Sequence, residues 1–341
     1  MRRLLYVISI IIIIILSVIL IVRKQPANVP TPEAPETVEQ ERLPVLTDKE
    51  KTRATVYYAT GDGGFLLPVN LEIKATTEVA QEALEKLLAG PPDENALDSV
   101  PVDAKLLEIY SIYNTVYVNF TKEFVEIPKE QAQLAIDAVI ATVLPLVDGY
   151  RLQILIEGEG REFIGGVRAE EPFGMPLINP VYVTNDGEYT KQQLDADGDI
   201  VTYYLADPTM NYLVPQNLVM MLSGGEARPL ERARAALNAM VEQPDLGYGR
   251  LARIMPVGVE LLDIRIENHV AYADFSSHIL IPMGAKREKA MLQALTHSVL
   301  GIDGIESLQI SVDGIIFPSL PDGSDISQPL TVEKPINMKE D

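Results

Sequence analysis

Val100-Pro101-Val102 with Leu106-Leu107-Glu108-Ile109 returns later in the chain as Met255-Pro256-Val257 with Leu261-Leu262-Asp263-Ile264. Around it, Tyr117-Val118-Asn119-Phe120 returns as Tyr272-Ala273-Asp274-Phe275, and Ile127-Pro128 as Ile281-Pro282. Asp148-Gly149 with Leu152-Gln153-Ile154 returns as Asp303-Gly304 with Leu308-Gln309-Ile310. The offset is 155 from Pro101 to Pro256, 154 from Ile127 to Ile281 and 156 from Gln153 to Gln309. So steady an offset marks a tandem duplication of one domain. The period is too long for a solenoid, so each copy has to bury a core of its own.

The 341 residues are room for two domains of ~100–200 residues each. Lys and Arg number 28 against 49 Asp and Glu, a net charge of −21 with no basic cluster, which argues against a nucleic-acid partner. Cysteine is absent, which excludes disulfides, thiolate metal sites, cysteine nucleophiles and a cysteine-linked lipid.

Leu4 to Val22 is uncharged and mostly Ile, Leu and Val. As a helix it spans ~28 Å, about one bilayer core. Arg2 and Arg3 flank one end, Arg23 and Lys24 the other. The apolar core exceeds that of a secretory signal and lacks an obvious cleavage site, so residues 1–24 are read as an uncleaved transmembrane anchor. A short basic N-terminus ahead of the span is the export pattern. The expected location is therefore a bacterial cell membrane, crossed once, with the globular part extracytoplasmic. A cleaved signal peptide is the alternative. Residues 25–50 read as a tether, in which Pro26, Pro30, Pro32, Pro35 and Pro44 alternate with Glu33, Glu36, Glu39 and Glu41. A spacer of no specific length is the alternative there.

The first copy, 51–168, opens with a strand at 54–58, a turn at Gly61-Asp62-Gly63-Gly64 and a short strand at 65–69. Ala80, Ala83, Leu84, Leu87 and Leu88 then mark the apolar face of a helix that Gly90-Pro91-Pro92 stops. Two strands follow, at 105–113 and 115–120. Pro128 opens a second helix with Ala132, Ala135, Ile136, Val139, Ile140 and Val143 inward, and a last strand covers 152–157. The second copy, 200–318, repeats the order, with Tyr203-Tyr204 matching Tyr57-Tyr58. Each copy is expected to be β-α-β-β-α-β, an α+β domain with helices on one sheet face. Residues 169–199 read as a linker with an acidic run and a strand near 181–183, and 319–341 as a flexible tail.

Leu87-Leu88-Ala89-Gly90-Pro91, Val100-Pro101, Lys105-Leu106-Leu107, Val116-Tyr117-Val118-Asn119-Phe120 and Leu152-Gln153-Ile154 to Glu157-Gly158 carry a resemblance. So do Met255-Pro256, Leu261-Leu262, Ala271-Tyr272-Ala273-Asp274-Phe275-Ser276 and Leu308-Gln309-Ile310 to Asp313-Gly314. Their order, spacing and duplication resemble the GerMN (germane) domain of sporulation and spore-germination proteins, over about 54–168 and 200–318. The resemblance implies a fold similar to ring-building motifs of secretion systems. It implies a non-enzymatic envelope scaffold whose partners are envelope or sporulation membrane proteins, with self-association a further option. The lipobox cysteine expected of the family is absent, so the helix at residues 4–22 has to provide the membrane attachment.

Candidate chemistry is sparse. His269, His278 and His297 lack metal-ligand spacing. Asp274, Ser276, Ser277 and His278 could be drawn as a nucleophile cluster, but Asn119, Thr121, Lys122 and Glu123 stand there in the first copy, which favours turn and cap duties. Asp195-Ala196-Asp197-Gly198-Asp199 departs from a calcium loop at Ile200 and Ala206. Gly158-Glu159-Gly160 and the Gly61–Gly64 turn lack dinucleotide and phosphate-loop contexts. No catalytic, cofactor or metal residue is assigned, and no cofactor is expected. The rival to the scaffold is a peptidoglycan-binding or cell-wall accessory protein, kept open by Tyr57, Tyr58, Tyr203 and Tyr204 as stacking platforms.

Overall fold

A computed structural model describes residues 41–147, 149, 151–222, 228–242 and 250–339. The expected transmembrane span at 4–22 and the tether as far as residue 40 lie outside them. Among the described residues no helix is long and apolar enough to cross a membrane.

The first copy begins with a hairpin, β1 (Lys51–Thr60) and β2 (Leu66–Thr76), continues through α1 (Val79–Leu88), and forms a second sheet from β3 (Leu106–Ile112), β4 (Thr115–Phe120) and, after α2 (Lys129–Val143), β5 (Arg151–Ile156). The connection contains β6 (Pro180–Tyr182) and α3 (Lys191–Asp197). The second copy repeats the plan with β7 (Asp199–Ala206), β8 (Leu213–Met220), α4 (Arg228–Val241), β9 (Leu261–Glu267), β10 (Val270–Phe275), α5 (Ala285–Leu300) and β11 (Ser307–Val312), and β12 (Met338–Lys339) closes the chain. Each copy is thus a mixed α+β unit, as expected, but its order is ββαββαβ. The hairpin and the central strands hydrogen-bond as separate sheets, which corrects the single sheet inferred from sequence. In the central sheets β3 and β9 run antiparallel, and β5 and β11 parallel, to the middle strand.

The local chemistry explains the elements. Val79, Ala80, Ala83, Leu84 and Leu87 bury one stripe of α1. Helix α2 is buried at Ala132, Ala135, Ile136, Val139, Ile140 and Val143, but also at Ala138, Ala141 and Thr142, because the hairpin and the connecting chain cover it on more than one side. Phe120 and Phe124 stack at 4.3 Å beneath the central sheet, and both are fully buried.

The hairpins align with a one-residue correction. Tyr57 faces Pro68 across its hairpin and Tyr204 faces Pro215, so Tyr57 corresponds to Tyr204 and the matched tyrosine pairs are out of step by one. The offset is 147 here, from Thr55 to Thr202, against 155 in the central strands, from Thr115 to Val270.

Each hairpin takes its extra strand from the far side of the duplication. Strand β6, which follows the first copy, runs parallel to β8 of the second. Strand β12, which follows the second copy, runs parallel to β2 of the first. Two asparagines hold this exchange with identical bonds. Asn179 Oδ1 accepts from Leu66 N–H at 2.9 Å, its Nδ2 donates to Leu66 O and Pro215 O at 2.8 Å each, and its carbonyl accepts from Asn217 N–H at 3.1 Å. Asn337 Oδ1 accepts from Leu213 N–H at 2.8 Å, its Nδ2 donates to Pro68 O and Leu213 O at 2.7 Å each, and its carbonyl accepts from Asn70 N–H at 3.2 Å. Both sit at positive φ, 45° and 51°, a region asparagine tolerates better than most residues.

The segment after residue 318 is therefore part of the fold, not the flexible tail expected. Leu320 and Ile326 are fully buried. Buried Glu288 of α5 accepts from Asp322 N–H at 2.7 Å and Ser324 N–H at 2.8 Å. Asp322 in return accepts from Met283 and Gly284 N–H at the start of α5. The tether also ends earlier than expected, since Leu43 pairs with Ser111 and Val45 is buried. Residues Arg42–Asp341 form one compact unit.

Asn337→Ala removes three side-chain hydrogen bonds and leaves alanine at positive φ. At ~1 kcal/mol per bond, with more for groups left unpaired, we expect a loss of about 2–4 kcal/mol in urea unfolding, and a matching loss for Asn179→Ala. A cost below about 0.5 kcal/mol for either would show that water replaces these bonds without penalty.

Candidate functional site

The residues singled out for chemistry are held in structural duties. Asp274 accepts from Ser311 Oγ at 2.7 Å and Gly314 N–H at 2.9 Å, as Asn119 accepts from Gly158 N–H at 2.8 Å in the first copy. Ser276 Oγ accepts from Glu260 N–H at 3.0 Å, as Thr121 Oγ1 accepts from Lys105 N–H at 3.1 Å. His278 Nδ1 lies 3.5 Å from Ser276 Oγ, at the limit of a hydrogen bond, while the bonds of Asp274 run to Ser311 and Gly314 instead. A nucleophile needs an oriented base, and this geometry does not form a triad.

His269 hydrogen-bonds through Nδ1 to Gly304 O at 3.0 Å. Asp195 accepts from Tyr182 Oη at 2.5 Å, and Asp199 is buried and paired with Arg228 and Arg232, so the acidic run is a helix end and a strand start. Among the described residues no group of three or more His, Cys, Asp or Glu is placed to hold a metal ion. Gly158 and Gly63, at φ 83° and 68°, turn hairpins. The four tyrosines are strand residues. Tyr58 and Tyr203 are buried, and burial pushes Tyr203 up to about 12. Tyr57 and Tyr204 are half-buried, and Tyr204 is likewise pushed up to about 12, by burial and then by Tyr57. None presents an open stacking face.

Two features escaped the sequence reading. The first is a polar cluster at the junction of the copies. Asp93, in the loop after α1, accepts from Tyr212 Oη and Lys339 Nζ, both at 2.8 Å, and the Lys339 ammonium lies 4.5 Å from the Tyr212 ring centre. Burial works against the Asp93 charge, but hydrogen bonds from Lys339, Tyr212 and Asn95 outweigh it and hold the carboxyl below the ordinary range. The second is a cleft of about 480 Å³ between α5, the start of β8 and residues 330–338. Its walls include Leu213, Lys289, Ala290, Gln293 and His297. Neither feature shows as a motif, since each draws on segments more than a hundred residues apart or on a stretch without periodicity.

Asp137 on α2 is a lone half-buried carboxyl bonded to Gln133 Nε2 at 2.8 Å. Burial pushes it up to about 6, only partly countered by that bond.

A family model described as sporulation and spore germination matches residues 55–162 and 201–315. Among solved structures, the chain is similar to the tandem GerMN domains of the sporulation protein GerM from Bacillus subtilis, at 19% identity and TM-score 0.57, over 84% of this chain and 100% of that one. It also matches a putative lipoprotein from Clostridium perfringens at 23% identity and TM-score 0.30, over 40% of this chain and 90% of that one. No curated protein matches it in sequence.

Three substitutions test these assignments. Asp274→Asn installs the first-copy residue and should change stability by less than about 0.5 kcal/mol, whereas Asp274→Ala, which loses the bonds to Ser311 Oγ and Gly314 N–H, should cost about 1 kcal/mol. Asp137→Asn should stabilise above pH 6. A carboxyl raised from 3.8 to about 6 favours the fold only when protonated, so its penalty is absent below pH 4, grows between 4 and 6, and is full above. The expected gain is about 1–3 kcal/mol at pH 7.5 and none at pH 3.5. A gain independent of pH would refute the assignment.

Proposed function

The chain belongs to the GerMN family of sporulation and spore germination proteins, and from that membership we propose that it is a non-enzymatic, membrane-anchored envelope protein, a scaffold or assembly factor acting through protein contacts. The observation that carries this reading is the reciprocal strand exchange. It turns two repeats into one body with a fixed spacing between equivalent surfaces.

Those surfaces repeat apolar groups in water. Val102 is 72% exposed and Val257 75%, and Leu107 and Leu262, at the bulges of the edge strands β3 and β9, are 48% and 46% exposed. Exposed apolar side chains at matched positions of both copies suit a repeated protein contact. Residues 4–22 supply the anchor in this reading, and the globular part faces outward. The structural duties of Asp274, Ser276 and the histidine neighbourhood favour a holder over a catalyst. The cell-wall alternative loses its stacking platforms because Tyr58 and Tyr203 are buried and Tyr57 and Tyr204 half-buried.

A photo-crosslinking residue in place of Val257, in the full chain in its host through sporulation, tests the proposal. Adducts to envelope proteins or to a second copy are expected, and a second crosslinker at Val102 should give the same partners or adjoining ones. Adducts no more abundant than those from exposed Lys74 would sink the reading.

A further inference from the structure

Helices α2 and α5 hold equivalent places: Tyr57 N–H donates to Thr142 Oγ1, and Tyr204 N–H to Ser298 Oγ, both at 3.1 Å. Stepping back from that pair matches Gln133 with Lys289, Leu134 with Ala290, Asp137 with Gln293 and Ala141 with His297. In the first copy Leu134 and Tyr57 pack against Leu66, Ala138, Ala141 and Ile178 in a closed apolar cluster. In the second, the matching Leu213, Ala290, His297 and Ile336 line the open cleft of about 480 Å³. Ala290 lacks the isopropyl group that Leu134 contributes, and an imidazole replaces the methyl of Ala141. The same frame is thus filled once and left open once, and an unfilled site forgoes packing energy.

The replacements also change the chemistry of the wall. Lys289, Gln293 and His297 recur every fourth residue along α5 and line the cleft together. Opposite stand residues 331–333, none of whose backbone N–H groups donates to a backbone carbonyl among the described residues. His297 is half-buried and edge-on to Tyr204, with ring centres 5.9 Å apart. Burial holds it below its usual range, so near neutral pH it offers one N–H and one lone pair. Neither ring nitrogen has a hydrogen-bond partner among the described residues. Lys289 is the cation that α5 sets on this wall, in a chain of net charge −21. The volume suits a ligand of a few linked residues, since such sites run ~300–1,000 Å³.

We propose that this cleft binds the free-acid end of a short peptide. Its small apolar side chains lie on Leu213, Ala290 and Ile336, its amide meets His297 and the backbone of 331–333, and its carboxylate meets Lys289. The first copy has no counterpart site, because Leu134 and Ala141 close it and Asp137 would repel an anion. The same chemistry is offered by a protein C-terminus and by a cell-wall stem peptide, which differ in chirality.

The full chain in detergent, titrated with N-acetyl-alanyl-alanine and followed by calorimetry and saturation-transfer NMR, tests the proposal. The L,L acid stands for a protein C-terminus and the D,D acid for a cell-wall peptide, and the tighter one identifies the source. Saturable millimolar or tighter binding of at least one acid is expected, with the C-terminal amide and the Lys289→Glu variant each about tenfold weaker, a loss of ~1.4 kcal/mol. Ala290→Leu, which copies the first repeat, should abolish binding while keeping or raising the melting temperature. Should Ala290→Leu misfold, His297→Ala must weaken binding instead. Equal binding of acid and amide, no saturation by either acid at 20-fold above the millimolar range, or full binding by a folded Ala290→Leu overturns the proposal.

Discussion

The eight hydrogen bonds of Asn179 and Asn337 are the constraint on which the rest of the molecule depends. Each asparagine ties the first residue of its own copy's second hairpin strand to the corresponding strand of the other copy. Each hairpin asparagine then closes the loop, with Asn70 Nδ2 donating to Ile336 O at 2.6 Å and Asn217 Nδ2 to Ile178 O at 2.5 Å. Thr55 and Thr202 orient those amides by donating to their Oδ1 atoms. Both sets sit at the edge of a two-stranded hairpin, which is marginal in water without further strands or a helix beside it. The exchange supplies the extra strand, and α2 and α5 supply the cover.

This arrangement makes sense of the polar residues that repeat. Gln153 Nε2 donates to Ala169 O and Gln309 Nε2 to Ile326 O, both at 2.9 Å, so the repeated central-strand glutamine catches the chain as it leaves its copy. Phe173 then bridges to Leu152 and Leu330 to Leu308, which aims the chain at the asparagine and the far hairpin. Buried polar groups need partners, and one way to satisfy them is to guide backbone that has none of its own. The apparent divergence between Asn119 and Asp274, or Thr121 and Ser276, is a change of side chain with the hydrogen bond kept.

The duplication, the central strands and both helix faces are legible in the sequence because they have period and length: Leu152-Gln153-Ile154 and the Ala132–Val143 stripe announce themselves locally. The second-copy strand β8 escapes because Leu213–Met220 is buried at seven of its eight positions and shows no alternation. Strand β6 is expected near 181–183, but nothing in its three residues marks β8 as its partner, and β12, two residues long, pairs with β2 at the other end of the described chain. Pro- and Asp-rich composition after Phe317 reads as a tail, yet Glu288 gives that loop its hydrogen bonds, and a buried glutamate on a helix carries no sequence mark of what it will bind. The register error at Tyr203-Tyr204 has a similar cause: neighbouring tyrosines look alike, and only the facing prolines separate them.

A duplication held by reciprocal strands also constrains how the two copies can diverge. Residues on the exchange must stay matched, because an altered Asn337 weakens both halves at once. The residues of α2 and α5 that face Ile178 and Ile336 make none of those bonds, and it is there that Leu134 and Ala290, Asp137 and Gln293, and Ala141 and His297 part company. The apolar groups at Val102 and Val257 lie outside the exchange too, yet both remain exposed and apolar. Packing does not require this, since an exposed valine buries nothing within the chain. A contact made twice, at the spacing the exchange fixes, would require it. The same frame therefore accommodates two kinds of surface: one kept alike in both copies, and one changed in a single copy from a filled core to an open cleft.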